Sequence, residues 1–179
     1  MTETITVGHV HDDDLPWVQA GPVGLKVLRA SSDTWVVRNR FPAGFQLPKH
    51  KHTGGVHAHT FSGRWRYAEY GIDYVAGTFI YEPPGSVHTL MVLEDDTEIL
   101  FVIQGVFIEY APTEGEQSAT VDDGREPWRT RDDGASEDRN IEFDETGQIS
   151  GVVDAESTLN AYLALCDAAG LPRPTGILR

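Results

Sequence analysis

The sequence predicts an all-β domain, a sandwich or barrel of short strands, followed by one C-terminal helix. Three observations predict it. Between about residue 23 and residue 110, seven short runs rich in Val, Ile, Thr and aromatic residues alternate with Gly, Pro or Asp. Inside several of these runs apolar and polar residues alternate with the two-residue period of a half-buried strand. Near the C-terminus a single stretch changes to helical spacing. Strands so distributed suit a sandwich or barrel.

The runs, in order, are LKVLRA, DTWVVRNRF, VHAHTFSG, RWRYAEY, GTFIYEPPG, VHTLMVLE and TEILFVIQGVFIEY. In the second, Trp35, Val37 and Phe41 share one face, and Arg38 and Arg40 the other. In the fourth, Trp65, Tyr67 and Glu69 fall together, and the aromatic side is expected to face inward. Residues 99–103, ILFVI, are apolar throughout and read as a strand covered on both faces, by a second sheet or by a dimer partner. The helix is expected over about residues 155–169: Asp154 serves as N-cap, Gly170 closes the end and Pro172 follows. Its stripe of Leu159, Tyr162, Leu163 and Cys166 reads as packing, with Cys166 a small buried hydrophobe.

The expected organisation is an N-terminal arm (1–22), a barrel (23–112), an acidic flexible insertion (113–140) and a C-terminal extension carrying the helix (141–179). Net charge is −14, and residues 112–145 concentrate it with 12 Asp/Glu against 4 Arg. This balance argues against a nucleic-acid partner, which needs basic patches. Trp128 is the insertion's one large apolar anchor. No run approaches the ~20 apolar residues of a membrane span, the first residues lack the features of a signal peptide, and the lone cysteine excludes an internal disulfide. Together these suggest a cytoplasmic protein.

Four of the seven histidines lie in HKHTGGVHAH, residues 50–59. On a strand, positions i and i+2 point the same way, about 6.5 Å apart. His50 and His52 are therefore placed to grip one ion at roughly 2.1 Å. His88 follows YEPPGSV, where Pro84 and Gly85 have the types a type II turn requires, and an adjacent strand brings it to the same interior. Glu69 is either a ligand or the partner of an arginine at the barrel mouth, since a bare inward carboxylate is costly. His9 and His11 belong to a polar leader and read as solvated.

With these residues in view, the chain resembles the cupins, small jelly-roll (double-stranded β-helix) barrels. Gly44, His50, His52 and Gly63 fit the first cupin motif, G-x5-H-x-H-x3,4-E-x6-G. Gly77, Pro83, Gly85 and His88 fit the second, G-x5-P-x-G-x2-H-x3-N. The glutamate of the first is replaced by Val56 or His57, and the final Asn of the second by Val92. Glu69, or failing it His57, is expected to complete the set. A narrower resemblance, carried by DDLPWV, LPKHKHTGGVHAHT, SGRWRYAEY, AGTFIYEPPGSVHTL and YLALCDAAGLP, is to the 2,4'-dihydroxyacetophenone dioxygenase family.

That resemblance implies Fe(II) held by His50, His52, His88 and Glu69. It also implies oxidative C–C cleavage, with O2, of a hydroxyketone into two acids, or of a 1,3-dicarbonyl. Three imidazoles also suit Zn, Mn, Ni or Cu. Glu69 is the expected base, released from the metal to take the substrate proton, and His57 the second catalytic candidate. A kink at Gly54-Gly55 is expected to turn His57 and His59 toward the metal; otherwise both are rim residues. Trp35, Phe61, Trp65 and Tyr67 are expected either to line an aromatic substrate pocket or to be barrel core. The partners implied are a small carbonyl compound, O2 and, from the apolar strand, a second copy of the chain as a homodimer. The alternative is a metal-binding regulatory module like the cupin domain of zinc-dependent anti-sigma factors. Those carry a helical domain before the cupin, for which the expected 22-residue arm leaves no room. Another cupin chemistry, such as isomerisation, is the third reading.

Overall fold

The computed structural model describes residues 7–111 and 149–178. Two six-stranded antiparallel sheets face each other as a jelly-roll barrel. The chain forms β1 (Val18–Ala20), β2 (Val23–Ala30), β3 (Thr34–Phe41), β4 (Gln46–His52), β5 (Val56–Ser62) and β6 (Arg64–Tyr67). It continues through β7 (Asp73–Val75), β8 (Phe79–Glu82), β9 (Val87–Val92), β10 (Thr97–Gln104), β11 (Phe107–Tyr110), β12 (Ile149–Val153) and the helix α1 (Ala155–Ala168). One sheet has the order β1-β2-β3-β10-β5-β8 and the other β12-β11-β4-β9-β6-β7. The insertion expected at 113–140, with Trp128, lies outside the described residues. No helix among the described residues is long and apolar enough to cross a membrane.

Alternation builds the interior. Trp35, Val37 and Phe41 of β3 are buried while Arg38 and Arg40 face out, as the two-residue period requires. Val27, Val56, Trp65 and Ile99 are wholly enclosed; burying each such side chain contributes about 1.5–3 kcal/mol. β10 lies between β3 and β5, but it is covered on its inner face alone: Ile99, Phe101 and Ile103 are buried, and Leu100 and Val102 are half-buried on the outer face. The uninterrupted apolar run therefore does not mark a strand enclosed on both sides within one chain.

The helix is closed at both ends. The Asp154 carboxylate accepts from the Ser157 amide at 2.7 Å and the Ser157 hydroxyl accepts from the Asp154 amide at 3.0 Å, a reciprocal capping box. Gly170, at φ +67°, ends it: its amide donates to the Asp167 carbonyl and the Leu171 amide donates to the Cys166 carbonyl, the Schellman arrangement. Leu159, Tyr162 and Cys166 are buried against the barrel, and the Tyr162 hydroxyl donates to the Pro16 carbonyl at 2.7 Å. The N-terminal arm is held to the outside of the first sheet: buried Lys26 donates to the Asp12 carboxylate at 2.9 Å, and Arg38 pairs with the same carboxylate at 2.8 Å. His9 and His11 are exposed, and His11 Nδ1 accepts from the Asp13 amide.

Candidate metal centre

β4 carries His50 and His52, and a bulge aims them. The register between β4 and β9 shifts by one residue between Leu47 and His50, at Pro48-Lys49. Pro48 has no N–H to lose from the ladder. The extra residue lets Leu47 and His50 both face inward, three positions apart, and sets His50 directly opposite His88 of β9. Opposed residues of an antiparallel pair share a face, so the two imidazoles meet. His52 follows two residues on. Its amide donates to the Ser86 carbonyl at 3.2 Å, and its carbonyl accepts from the Gly85 amide at 2.8 Å. That fixes β4 to the Pro83–Ser86 turn, where Ser86 donates back to Pro83 and Gly85 has φ +86°, the type II geometry expected of Pro84-Gly85.

The three histidines converge. One ring nitrogen from each of His50, His52 and His88 lies within 4.8 Å of the other two, and all three side chains are buried. The His50 Nδ1 is 2.8 Å from the Pro48 carbonyl, a bond that fixes the tautomer and leaves Nε2 as the lone-pair nitrogen. His52 Nδ1 and His88 Nδ1 are buried without a hydrogen-bond partner, and His88 Nε2 is buried with the Glu82 carboxylate 3.2 Å away. Buried polar atoms left unpaired in this way are costly. A cation among them removes the cost, and the donor set, three imidazoles, suits a transition metal. The residues present therefore fit a metal ion.

Electrostatics keep His50 and His52 in their ligating state. Burial holds His50 well below the ordinary histidine range, and the neighbouring His88 and His52 push the same way. His52 is lowered to about 4, by burial first, with His88 adding and Glu82 opposing. Neutral imidazole is the form that binds metal.

The carboxylate beside them is Glu82 of β8. Its Oε2 lies 3.2 Å from His88 Nε2 and 3.4 Å from His52 Nε2. Burial acts to raise its pKa, yet His88, His52 and Tyr67 outweigh that and hold it below the usual value, so the carboxylate is ionised. The Tyr67 hydroxyl donates to Glu82 Oε1, and the Tyr67 ring stacks on His88. Burial first, and then Glu82, push the phenol well above its ordinary range, so it remains a donor.

Glu69 lies elsewhere. β6 ends at Tyr67 and residues 68–70 form a turn, so the alternation that placed Glu69 inward stops before reaching it. Its carboxylate accepts from the Thr89 amide at 3.0 Å. His57, His59 and Phe61 of β5 point to the outer face of the first sheet. Val56, Ala58 and Thr60 take the inside, and His57 packs on Phe79 and Tyr81. The Gly54-Gly55 kink carries the chain from one sheet to the other, with Gly54 so close to Gln104 that a Cβ would meet its carbonyl oxygen at 2.4 Å. It does not turn His57 and His59 toward the histidines at 50, 52 and 88. Trp65 is core: its indole N–H donates to the Thr60 hydroxyl at 2.9 Å. Trp35 and Tyr67 line the interior cavity.

That cavity, about 330 Å³, occupies the barrel beside the histidines. His50, His52 and Tyr67 lie on its wall, together with apolar side chains such as Phe41, Phe101 and Phe107. Its other polar lining residues are Asn39, Glu109 and Thr158. Sequence reasoning missed these three and Glu82. For Glu82 a signal existed, since alternation in FIYE pairs it with Ile80. It was masked by Phe79 and Tyr81, whose aromatic face reads as interior but is exposed.

The model of a family described as the ChrR cupin-like domain matches residues 6–108. Among solved structures, an RmlC-like cupin protein from Ralstonia eutropha aligns with a TM-score of 0.71 at 22% identity, over 98% of this chain and 96% of that one. An acetylacetone dioxygenase from Acinetobacter johnsonii aligns with a TM-score of 0.61 at 14% identity, over 92% and 95% of the two chains. At such identities the likeness is one of fold. These comparisons support the cupin superfamily and do not single out the 2,4'-dihydroxyacetophenone dioxygenases. A search of curated proteins gives no match.

Proposed function

The chain belongs to the ChrR cupin-like domain family, and from that premise we propose that it is a metal-dependent dioxygenase cleaving a C–C bond of a hydroxyketone or 1,3-dicarbonyl. The observation that carries this reading is the 330 Å³ cavity against the three-histidine cluster: a purely structural ion needs no room beside it for a second molecule. A bound Fe(II) would supply Lewis acidity toward an enolised carbonyl compound and electrons toward O2. Both oxygen atoms end in the two fragments, so no outside reductant is needed. The acetylacetone dioxygenase with the same fold is consistent with this chemistry.

The protein's own groups supply the rest. His50, His52 and His88 hold the metal, the first oriented by Pro48. Glu82, ionised and held by Tyr67, is the base that takes the proton from the substrate as it enolises, the part first assigned to Glu69. The apolar wall keeps water from the reacting carbons and strengthens every charge interaction inside. Oxygen-electrode traces of the Fe(II)-loaded protein with acetylacetone and aryl hydroxyketones are expected to show uptake. Flat traces across a wide panel would overturn the reading.

A regulatory metal module is the competing reading. Glu82 favours it, because three histidines and one carboxylate make the closed four-donor set of a structural zinc site. Zinc retained through purification, with no oxygen uptake after exchange for iron, decides for it.

We also infer a homodimer formed through the outer face of the first sheet. Phe61, Phe79 and Tyr81 are exposed there, beside half-buried His57, His59, Leu100 and Val102. On a chain of net charge −14, this apolar patch, flanked by Arg38 and Arg40, is where two acidic copies can approach.

A further inference from the structure

Residues run in rows across β4, β11 and β12 beside the cavity. One row reads His50, Glu109, Gly151, and the next His52, Phe107, Val153. Opposed residues share a face. Glu109 therefore faces the same interior as the histidines, and it lines the cavity with Phe107 and Val153. It is not one of the metal donors: among the described residues, the nitrogens that lie within 4.8 Å of one another belong to His50, His52 and His88. Its carboxylate leans the other way, over Gly151, where a Cβ would meet Oε2 at 3.0 Å. With neighbouring strands about 4.8 Å apart, the charge stands roughly 10 Å across the sheet from β4.

The Glu109 side chain is half-buried and has no hydrogen-bond or ion-pair partner among the described residues. Other enclosed carboxylates of this chain are paired: Asp12 with Lys26 and Arg38, Glu98 with Arg38 and Arg40, Glu82 with the Tyr67 hydroxyl. No Lys or Arg among the described residues lines the cavity. A second polar group borders the same cavity. β12 leads through Asp154 into α1, and Thr158, one turn in, is a lining residue. It is 9% exposed, and its hydroxyl is buried with no partner. A helical Thr hydroxyl ordinarily returns to the carbonyl four residues back. Here that carbonyl, of Asp154, already accepts from the Thr158 amide and the Ser157 hydroxyl. A charged acceptor and a free hydroxyl, in a cavity walled by the rings of Trp35, Phe101 and Phe107, match a group that donates hydrogen bonds and carries positive charge.

We propose that Glu109, seated over Gly151 and joined by Thr158, forms a subsite for a protonated amine on the molecule that occupies the cavity. The Glu109 carboxylate takes the charge, the Thr158 hydroxyl accepts one N–H, and the aromatic walls face the cation. An anionic ligand would meet Glu109 and lose its hydration without a counter-charge. The ligand class is then an amine-bearing compound whose other end reaches the histidines. That this other end is a carbonyl group rests on the dioxygenase reading of the same cavity; the amine subsite does not.

The test uses the Zn(II)-loaded full chain, inert to O2, and three calorimetric probes. They are 1-phenylbutane-1,3-dione carrying, at the ring's 4-position, an aminomethyl, a hydroxymethyl or a carboxy group. At neutral pH the first is a cation, the second is neutral and of nearly the same shape, and the third is an anion. The cation is expected to bind about tenfold tighter than the hydroxymethyl compound, and the anion more weakly than either. Glu109→Gln keeps the shape and removes the charge. It is expected to erase the cation's advantage and to leave zinc retention and hydroxymethyl affinity unchanged, which also reports that the variant folds. Gly151→Ala crowds the carboxylate, reduces the same advantage and carries the test should Glu109→Gln not fold. Equal affinity for cation and hydroxymethyl compound would overturn the proposal. So would an advantage that survives Glu109→Gln, which would assign the attraction to the chain's net charge of −14. Weaker zinc retention in Glu109→Gln would tie the carboxylate to the ion and overturn it too. Failure of all three probes to bind also sinks the subsite, and oxygen uptake by the Fe(II) form with acetylacetone then judges the dioxygenase reading separately. A cation preference with no oxygen uptake by the Fe(II) form sinks that reading and leaves the amine subsite standing.

Discussion

Tyr67 lies almost face to face with His88, ring centroids 3.8 Å apart and planes 25° from parallel, while its hydroxyl donates to Glu82. One side chain thus positions both a metal-ligand candidate and the carboxylate beside it. Tyr67→Phe keeps the stacked ring and removes the bond. Glu82 then loses its donor in a buried setting, at a cost of about 1–3 kcal/mol. The expected result is a lower melting temperature for the metal-free protein and about 10–100-fold weaker metal retention, read by competition with a chelator. A metal affinity equal to wild type would show that Tyr67 only packs.

Purified wild-type protein is expected to hold about one transition metal per chain, and His50→Ala or His88→Ala to hold none. Each change leaves two imidazoles, short of the three that a catalytic site ordinarily supplies. Elemental analysis by mass spectrometry checks this. Equal metal content in wild type and both variants would place any ion elsewhere.

Glu82 and Glu69 separate cleanly by experiment. Glu82→Gln removes the negative charge 3.2 Å from His88 and 3.4 Å from His52. Loss of oxygen uptake with correct folding is expected. Glu69→Ala removes only the acceptor of the Thr89 amide, costing about 1 kcal/mol, with metal content unchanged. The reverse pattern would restore Glu69 to the site.

The contrast between these glutamates shows what the sequence made legible. The barrel was readable because Trp35, Val37 and Phe41 alternate with charged residues, and burial follows that period. The histidine cluster was readable because i and i+2 on a strand share a face, and the Pro84-Gly85 turn defines where the strand of His88 begins. Glu69 was misplaced because alternation was extended beyond the end of β6, and a strand's end is set by tertiary pairing rather than local pattern. The Pro48-Lys49 bulge was invisible for the same reason: one extra residue in a ladder has no signature without its partner strand. Asn39 and Thr158 gave no signal, since an isolated polar residue acquires meaning only from the cavity it faces.

The metal-free protein should lose stability in acid. His52 has a folded pKa of about 4 against an ordinary 6.5, and His50 is shifted in the same direction. Between those values the unfolded chain binds more protons, so stability is full above about pH 6.5 and falls as pH drops toward 4. For His52 alone the span is worth roughly 3 kcal/mol. Glu82, whose folded value lies below 4.5, adds a further loss below that pH. Melting temperatures of stripped protein from pH 7 to pH 4 are expected to decline, less steeply in His52→Leu. A flat profile would mean that these imidazoles are reached by water.

The outer patch predicts the assembly. Phe79 and Tyr81 are 65% and 55% exposed on β8, an edge strand, and continue onto Phe61 and the half-buried Leu100 and Val102. A two-fold pairing sets the same patch against itself, and a stable interface needs about 800 Å² from each copy. Light scattering on a sizing column is expected to give twice the chain mass. Phe79→Lys with Tyr81→Lys adds four like charges to the paired face and should give monomers with unchanged metal content, since neither residue reaches the histidines. A wild-type monomer at micromolar concentration would leave this patch without the partner inferred for it.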